Sequence, residues 1–247
     1  MSLAHEYYLS LNYNMTRVVF CSPTIKKPYQ ATLDALANSV PLLNEHDIEH
    51  YMVNEIGCPY ISAARSTMLR KALDVKPDAI IFIDHDVSWR PEDLLKLIQA
   101  EGDVVAGTYR FKKDPIEYMG AVLGDYNNRP QTRPDGAIKA HSIPAGFLKI
   151  TAEGVSRFMQ EYPELCWGPY YARSVDLFNH GVIDNVWYGE DYAFAKRWRE
   201  KCGDIWILPD MDINHHTEDE VYKGNYHQFL LRQPGGSHEG VPYDSAD

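Results

Sequence analysis

Apolar residues follow two periods along the first half of the chain, and the switches between them mark the elements. RVVFCSPT, residues 17–24, is apolar until its Ser-Pro pair and reads as a buried strand ending in a turn. Helical spacing follows from about Tyr29 to Asn44, with Pro41 weakening its end because proline lacks the N–H that the preceding turn needs. IEHYMVNE, residues 48–55, alternates like a second strand. In YISAARSTMLRKALDV, residues 60–75, Ile61, Ala64, Met68 and Ala72 recur at helical spacing, and the strand AIIFI, residues 79–83, comes next. That strand runs straight into Asp84-His85-Asp86. SWRPEDLLKLI then has the order of a helix start, with Ser88 as cap, Pro91 in the first turn, and Glu92 and Asp93 where the helix dipole favours anions. DVVAGTYR, residues 103–110, supplies a further strand.

Strands alternating with helices predict an α/β fold, a mostly parallel sheet flanked by helices, with ligands at the carboxyl ends of the strands. Asp84 and Asp86 lie at such an end. Beyond Phe111 the pattern loosens, and the Gly, Pro, Asn and Asp residues crowded into 112–135 predict hairpin loops. No repeat or low-complexity linker divides the chain, so residues 17–232 read as a single domain, with 1–16 as an N-terminal extension and 233–247 as a flexible tail.

Composition narrows the partners. With 45% apolar residues among 247, the chain has enough for one substantial core. A net charge of −11 and no dense Lys/Arg tract argue against a nucleic-acid partner. The four cysteines form no CxxC pair, which indicates neither a zinc site nor a disulfide framework and fits a reduced, cytoplasmic setting. No apolar run approaches the roughly 20 residues of a membrane span, and the amino terminus lacks the apolar core of a signal peptide.

Four stretches, and a second copy of the first, can carry chemistry. Two carboxylates one residue apart repel unless a cation sits with them, and Asp84-His85-Asp86 offers the incomplete shell that magnesium or manganese takes beside water and substrate phosphate; the plainer reading is a pair of turn or capping aspartates. A second such pattern, Asp210-Met211-Asp212, also follows an apolar strand and is a candidate second wall of the same cleft. WYGEDYAFAKRWRE, residues 187–200, puts Glu190 and Asp191 at a helix start, either as ordinary dipole-favoured acids or as a carboxylate held for general-base work. IPAGFLKI, residues 143–150, contains Gly146, which either lets backbone approach a ligand or makes a bulge. INHHTEDEVYKGNY contributes His215 and His216, either of which can ligate metal. The rings of Trp167, Tyr170, Tyr171, Trp187 and Tyr188 offer flat faces for a sugar, although core packing is the expected role of most of them.

Taken in order, the Ser22-Pro23-Thr24 turn, the AARSTMLRKAL helix with Arg65, FIDHDV, AGF, GED and the late histidine resemble the GT-A glycosyltransferases, the nucleotide-sugar-dependent enzymes with a Rossmann-like sheet. The set is most similar to compact single-domain viral, phage and bacterial members, and it covers Arg17 to about Leu231. The resemblance implies a nucleotide-binding half, 17–110, and an acceptor half, 111–232. It implies Asp86 as direct ligand of Mn2+ or Mg2+, Asp84 on the ribose or sharing the metal, and His216 as the late metal histidine in register with Tyr222 and Gly224. Glu218 stands two positions after His216 where the family has a small residue. Ser22, Pro23, Thr24, Arg65, His85 and Gly146 would line the donor, and Glu190 and Asp191 would be catalytic, Asp191 as base in inverting members or on the acceptor in retaining ones.

The implied activity is a metal-dependent, hexosyltransferase-like transfer from a nucleoside-diphosphate sugar to a glycan or other hydroxyl acceptor. A sugar-nucleotide pyrophosphorylase is the nearest alternative enzyme, but SPTIKKPYQ lacks the Gly-rich basic loop that holds a triphosphate. A glycan-binding module would explain the aromatics but not the acid pair at a strand end.

Overall fold

A computed structural model of the chain describes residues 16–125 and 129–232. The expected extension, save Thr16, and the expected tail lie outside the described residues. The first half alternates as expected: β1 (Thr16–Thr24), α1 (Gln30–Glu45), β2 (Ile48–Ile56), α2 (Ile61–Ala72), β3 (Ala79–Ile83), a short β4 (Val87–Ser88), α3 (Pro91–Gln99) and β5 (Val104–Gly107). The second half adds β6 (Ala121–Val122), β7 (Ile138–Ser142), β8 (Phe147–Thr151), α4 (Ala152–Glu161), β9 (Cys166–Trp167), β10 (Ser174–Val175), β11 (Gly181–Ile183), β12 (Val186–Tyr188), α5 (Glu190–Lys201), β13 (Trp206–Leu208), β14 (Asn214–His216), β15 (Val221–Tyr222) and α6 (Tyr226–Leu231).

Eight strands from both halves form one sheet in the order β2-β1-β3-β8-β5-β13-β7-β6. β1 runs parallel to β2 and β3, and β5 parallel to β13, while β8 runs antiparallel between β3 and β5, and β7 antiparallel beside β13. The sheet is therefore mixed rather than mostly parallel. Apolar runs report burial and say nothing of direction. The connection from β5 to β8 carries two strands and no helix among the described residues, and β8 enters the sheet antiparallel to both its neighbours.

The side-chain period of two divides the core. Val18, Phe20, Ile81 and Ile83 face α1 and α3, packing with Leu43, Leu94 and Leu97. Val19, Cys21, Ile80 and Phe82 face α2, α4 and α5, packing with Met68, Phe158, Phe194 and Trp198. Truncating a fully buried ring such as Phe158 or Trp198 to alanine is expected to cost about 3–5 kcal/mol. No helix among the described residues is long and apolar enough to cross a membrane.

Two local readings change. β1 does not turn at Ser22-Pro23 but stays paired with β2 through Thr24↔Ile56, and proline is tolerated there because the β3 pairing has already ended at Cys21↔Phe82. Ser88 does not cap α3. It lies in β4 opposite Asn214, and the cap position falls to Arg90, whose N–H donates to Asp93 Oδ2 at 3.3 Å.

Candidate functional site

β3 delivers its last buried residue, Ile83, and the chain then turns through Asp84-His85-Asp86 into β4. The turn is held on every side. The Asp84 N–H donates to the Gly146 carbonyl at 2.9 Å, fixing the turn against the entrance to β8. The His85 carbonyl accepts from the Tyr29 N–H at 2.8 Å and the Thr32 hydroxyl at 2.9 Å, which ties it to the start of α1. The Asp86 carbonyl accepts from the His216 N–H at 2.8 Å.

Gly146 has a steric reason. A Cβ there would overlap the Tyr109 hydroxyl and the Asp84 carboxylate, lying 2.7 Å from Asp84 Cγ, so the bulge reading gives way to close approach of side chains to backbone.

Arg65, on α2 and only 2% exposed, joins the acidic turn to the start of α5. One guanidinium nitrogen donates to Asp84 Oδ1 at 2.8 Å and another to Glu190 Oε1 at 2.6 Å, with the group 5.2 Å over the Phe178 ring. Burial opposes its charge, but Asp84 and Glu190 outweigh burial and hold the guanidinium above its ordinary range. Tyr109, 1% exposed, places its hydroxyl 3.4 Å from Asp84 Oδ2, and burial together with Asp84 pushes its phenol well above the usual range, so it stays a proton donor.

The two carboxylates of the GED segment differ. Glu190 is committed to Arg65. Asp191, one residue on, accepts only from the neighbouring Tyr192 N–H at 2.8 Å among its described hydrogen bonds and has no ion-pair partner among the described residues. Burial, aided by Glu190, pushes its carboxyl up to about 6. A carboxylate that titrates there is matched to taking a proton near neutral pH.

Asp86 faces a different set. Lys112 Nζ lies 2.5 Å from its Oδ2, and His215 Nε2 lies 3.6 Å from the same oxygen. Burial alone would raise the Asp86 carboxyl, but His215 and Lys112 outweigh burial and hold it below the usual carboxylate range.

The expectation that His216 faces the acid pair is corrected. β14 runs antiparallel to β4, with His215 opposite Val87. His215 thus turns its ring to Asp86 and Tyr109, while Nδ1 donates to the Arg110 carbonyl at 2.8 Å. The His216 ring hydrogen-bonds Ser88 Oγ at 2.8 Å, and burial lowers its titration. Adjacent strand residues do face opposite ways; the register with Tyr222 selects His215, since those two are the paired residues of β14 and β15.

The remaining expected residues sort as follows. Thr24 and His85 line a cavity of about 520 Å3 beside Lys26, Lys27 and Tyr29. Ser22 Oγ and Thr24 Oγ1 are shut from solvent with no hydrogen-bond partner among the described residues, which leaves donors and acceptors at the carboxyl end of β1. Pro23 is buried between them. The second Asp-x-Asp does not wall this cleft: Asp210 pairs with Lys96 and Asp212 with Arg90, and neither contacts the first pair.

Among the aromatics, Tyr170, Tyr171 and Trp187 are 96%, 89% and 69% exposed, so core packing is not their role. Trp187 stands near α2, where Trp167 Nε1 donates to Ser66 Oγ at 2.8 Å and His180, edge-on to Trp187, meets Ser62 Oγ at 3.1 Å. Tyr109 and Lys112 were not singled out from the sequence, and of the two histidines that were, His215 is the one that meets Asp86.

No group of three or more His, Cys, Asp and Glu side chains able to hold a metal occurs among the described residues. What the turn does offer is a pair, Asp86 and His215, with oxygen and imidazole donors on one side. This fits an open divalent site that takes its remaining ligands from substrate and water, provided that Lys112 yields its place on Asp86. Comparison of the sequence with protein-family models and with curated proteins finds no match.

Proposed function

We propose that the protein is a GT-A-type glycosyltransferase that moves a sugar from a nucleoside-diphosphate donor to a hydroxyl acceptor. The observation that carries this reading is Arg65, one buried cation gripping both Asp84 of the strand-end turn and Glu190 of the α5 start. Without it the two acidic segments, far apart in sequence, are separate turns; with it they face one space. The antiparallel β8 between β3 and β5 agrees with such a fold, since it brings Gly146 against Asp84.

In this reading the cavity at Thr24, Lys26, Lys27 and His85 takes the nucleoside, the buried hydroxyls of Ser22 and Thr24 facing that end of β1. Asp86 and His215 would hold Mn2+ or Mg2+, which as a Lewis acid would stabilise charge on the departing diphosphate. Lys112, beside Asp86, supplies a positive charge that can move to that phosphate. Asp84, fixed by Arg65 and Tyr109, orients the donor. Glu190 is a positioning residue, because its carboxylate is occupied by Arg65. Asp191 takes the acceptor proton as an oxocarbenium-like centre develops. Exposed Trp187, Tyr170 and Tyr171 offer faces on which an acceptor sugar stacks.

The test is release of nucleoside diphosphate from a panel of nucleotide sugars, with and without manganese. Manganese-dependent release lost in Asp86→Asn supports the reading. Absence of nucleotide-sugar binding across the panel, read by thermal shift, defeats it; a ligand at about 100 times its dissociation constant adds roughly 2.7 kcal/mol.

A further inference from the structure

A cavity of about 700 Å3 beside α6 shares no lining residue with the Asp84-His85-Asp86 turn, and its charge opposes the chain's net −11. Arg90, Arg110, Lys223 and Arg232 line it against one carboxylate, Asp212. Asp212 is already matched by Arg90 at 3.2 Å, and Arg90 is held by Asp93 at 2.9 Å as well. Three cations remain. Lys223 and Arg232 have no ion-pair partner among the described residues, and Arg110 meets Asp114 at 3.1 Å, a contact worth little because the Asp114 side chain is 84% exposed.

Arg110 is also fixed in place. Its guanidinium lies 5.6 Å over the Tyr222 ring, and its Nε is shut from solvent with no acceptor among the described residues. Like charges gathered around one cavity repel, and a bound anion relieves that repulsion. The other walls suit a hydroxylated ring. Asn214 and Gln228 supply amides, and Tyr118 and Phe229 supply ring faces, in a volume within the usual range for small-molecule sites.

We infer that this cavity binds an acidic sugar, a carbohydrate ring bearing a phosphate or a carboxylate. The inference stands on the cavity and does not need the transferase reading. The two sites are neighbours all the same, because the carbonyl of Arg110 holds His215.

Calorimetric titration of the full chain with glucose 6-phosphate, glucuronate and glucose tests it. At least one acid should bind saturably, with glucose silent at the same concentrations, and the acid that binds tells phosphate recognition from carboxylate recognition. Arg110→Gln and Lys223→Gln should each weaken that binding about tenfold, as expected for one hydrogen bond to a charged group. Lys223 is exposed, so its substitution keeps the test valid should Arg110→Gln unfold the protein. Absence of saturable binding of either acid up to about 10 mM, equal binding of glucose, or binding untouched by both substitutions overturns the inference. Manganese-dependent nucleoside diphosphate binding, titrated separately, should be unchanged in Lys223→Gln. Its absence from the unsubstituted protein would count against the transferase reading alone.

Discussion

Two Asp-x-Asp turns follow apolar strands in this chain, and their surroundings could hardly differ more. Asp84 and Asp86 have side chains 25% and 14% exposed and are met by Arg65, Lys112 and His215. Asp210 and Asp212 are 62% and 45% exposed and meet Lys96 at 3.9 Å and Arg90 at 3.2 Å. The local pattern is the same in both. What separates them is the burial of their partners: the first turn is met by Arg65 of α2, by a tyrosine and a lysine from the segment after β5 and by His215 of β14, with Arg65 and His215 side chains 3% and 12% exposed, whereas Arg90 and Lys96 at the second are 51% and 39% exposed. Both turns draw partners from distant segments, but the first is packed among buried ones, while the second pairs with exposed cations and gives Asp212 to the wall of the cavity beside α6.

The largest expected effect tests whether the first turn and the α5 start form one site. Asp191→Asn should lower turnover by about 10²- to 10⁴-fold, the usual contribution of a general base, while donor affinity holds. Asp212→Asn, in the second Asp-x-Asp turn, should leave turnover alone. Steady-state kinetics on both variants decides; equal effects would erase the distinction between the α5 start and the second turn.

Next comes stability. Arg65→Met removes a buried cation and leaves Asp84 and Glu190 uncompensated, so denaturant unfolding should report a loss of about 3–5 kcal/mol. Lys96→Met breaks only the exposed contact with Asp210 and should cost less than about 1 kcal/mol.

The same contrast explains which parts of the molecule could be read in advance. AIIFI was legible because all five of its residues are buried, giving an unbroken apolar run, and α2 because its core contacts recur every three or four residues. The direction of β8 left no trace in periodicity, since a strand buried on both faces looks alike either way up. Gly146 carried a visible signal but not its cause, which is the close approach of the Tyr109 hydroxyl and the Asp84 carboxylate from two other segments. Tyr109 passed for one more strand residue in DVVAGTYR, and Lys112 for a loop charge. The histidines failed on a single step of register, the error to which a two-residue period is most exposed.

That register gives a smaller, sharper test inside the first turn. His215→Ala should weaken manganese binding by roughly 10- to 100-fold, the scale on which a metal site responds to losing a group that holds or orients the ion. His216→Ala, which loses the ring's contacts with Ser88 and Tyr29, should leave manganese affinity intact. Electron paramagnetic resonance of free Mn2+ reads the affinity directly, without turnover. The reverse ranking would restore the original register of the histidine.

The smallest effect concerns Asp191 and runs opposite to its role in turnover. Its carboxyl is pushed up to about 6 by burial and by Glu190, so the folded protein holds the proton more tightly than the unfolded chain, whose aspartates titrate near 3.9. The contribution to stability is then fully present below about pH 4 and is lost as pH rises through about 6, because above that the folded state must carry an ill-solvated charge. Asparagine carries none. Asp191→Asn should therefore make the protein more stable by about 1–2 kcal/mol at pH 7, and the gain should vanish as pH falls to about 4. Urea unfolding of both proteins at the two pH values measures this. A residue that merely favours the helix dipole would behave in the opposite way, its amide variant being less stable at pH 7 by about 0.3–1 kcal/mol. The sign of one difference thus separates a carboxylate held under strain for proton transfer from one placed there to start a helix, as the acids of the second turn ornament a surface.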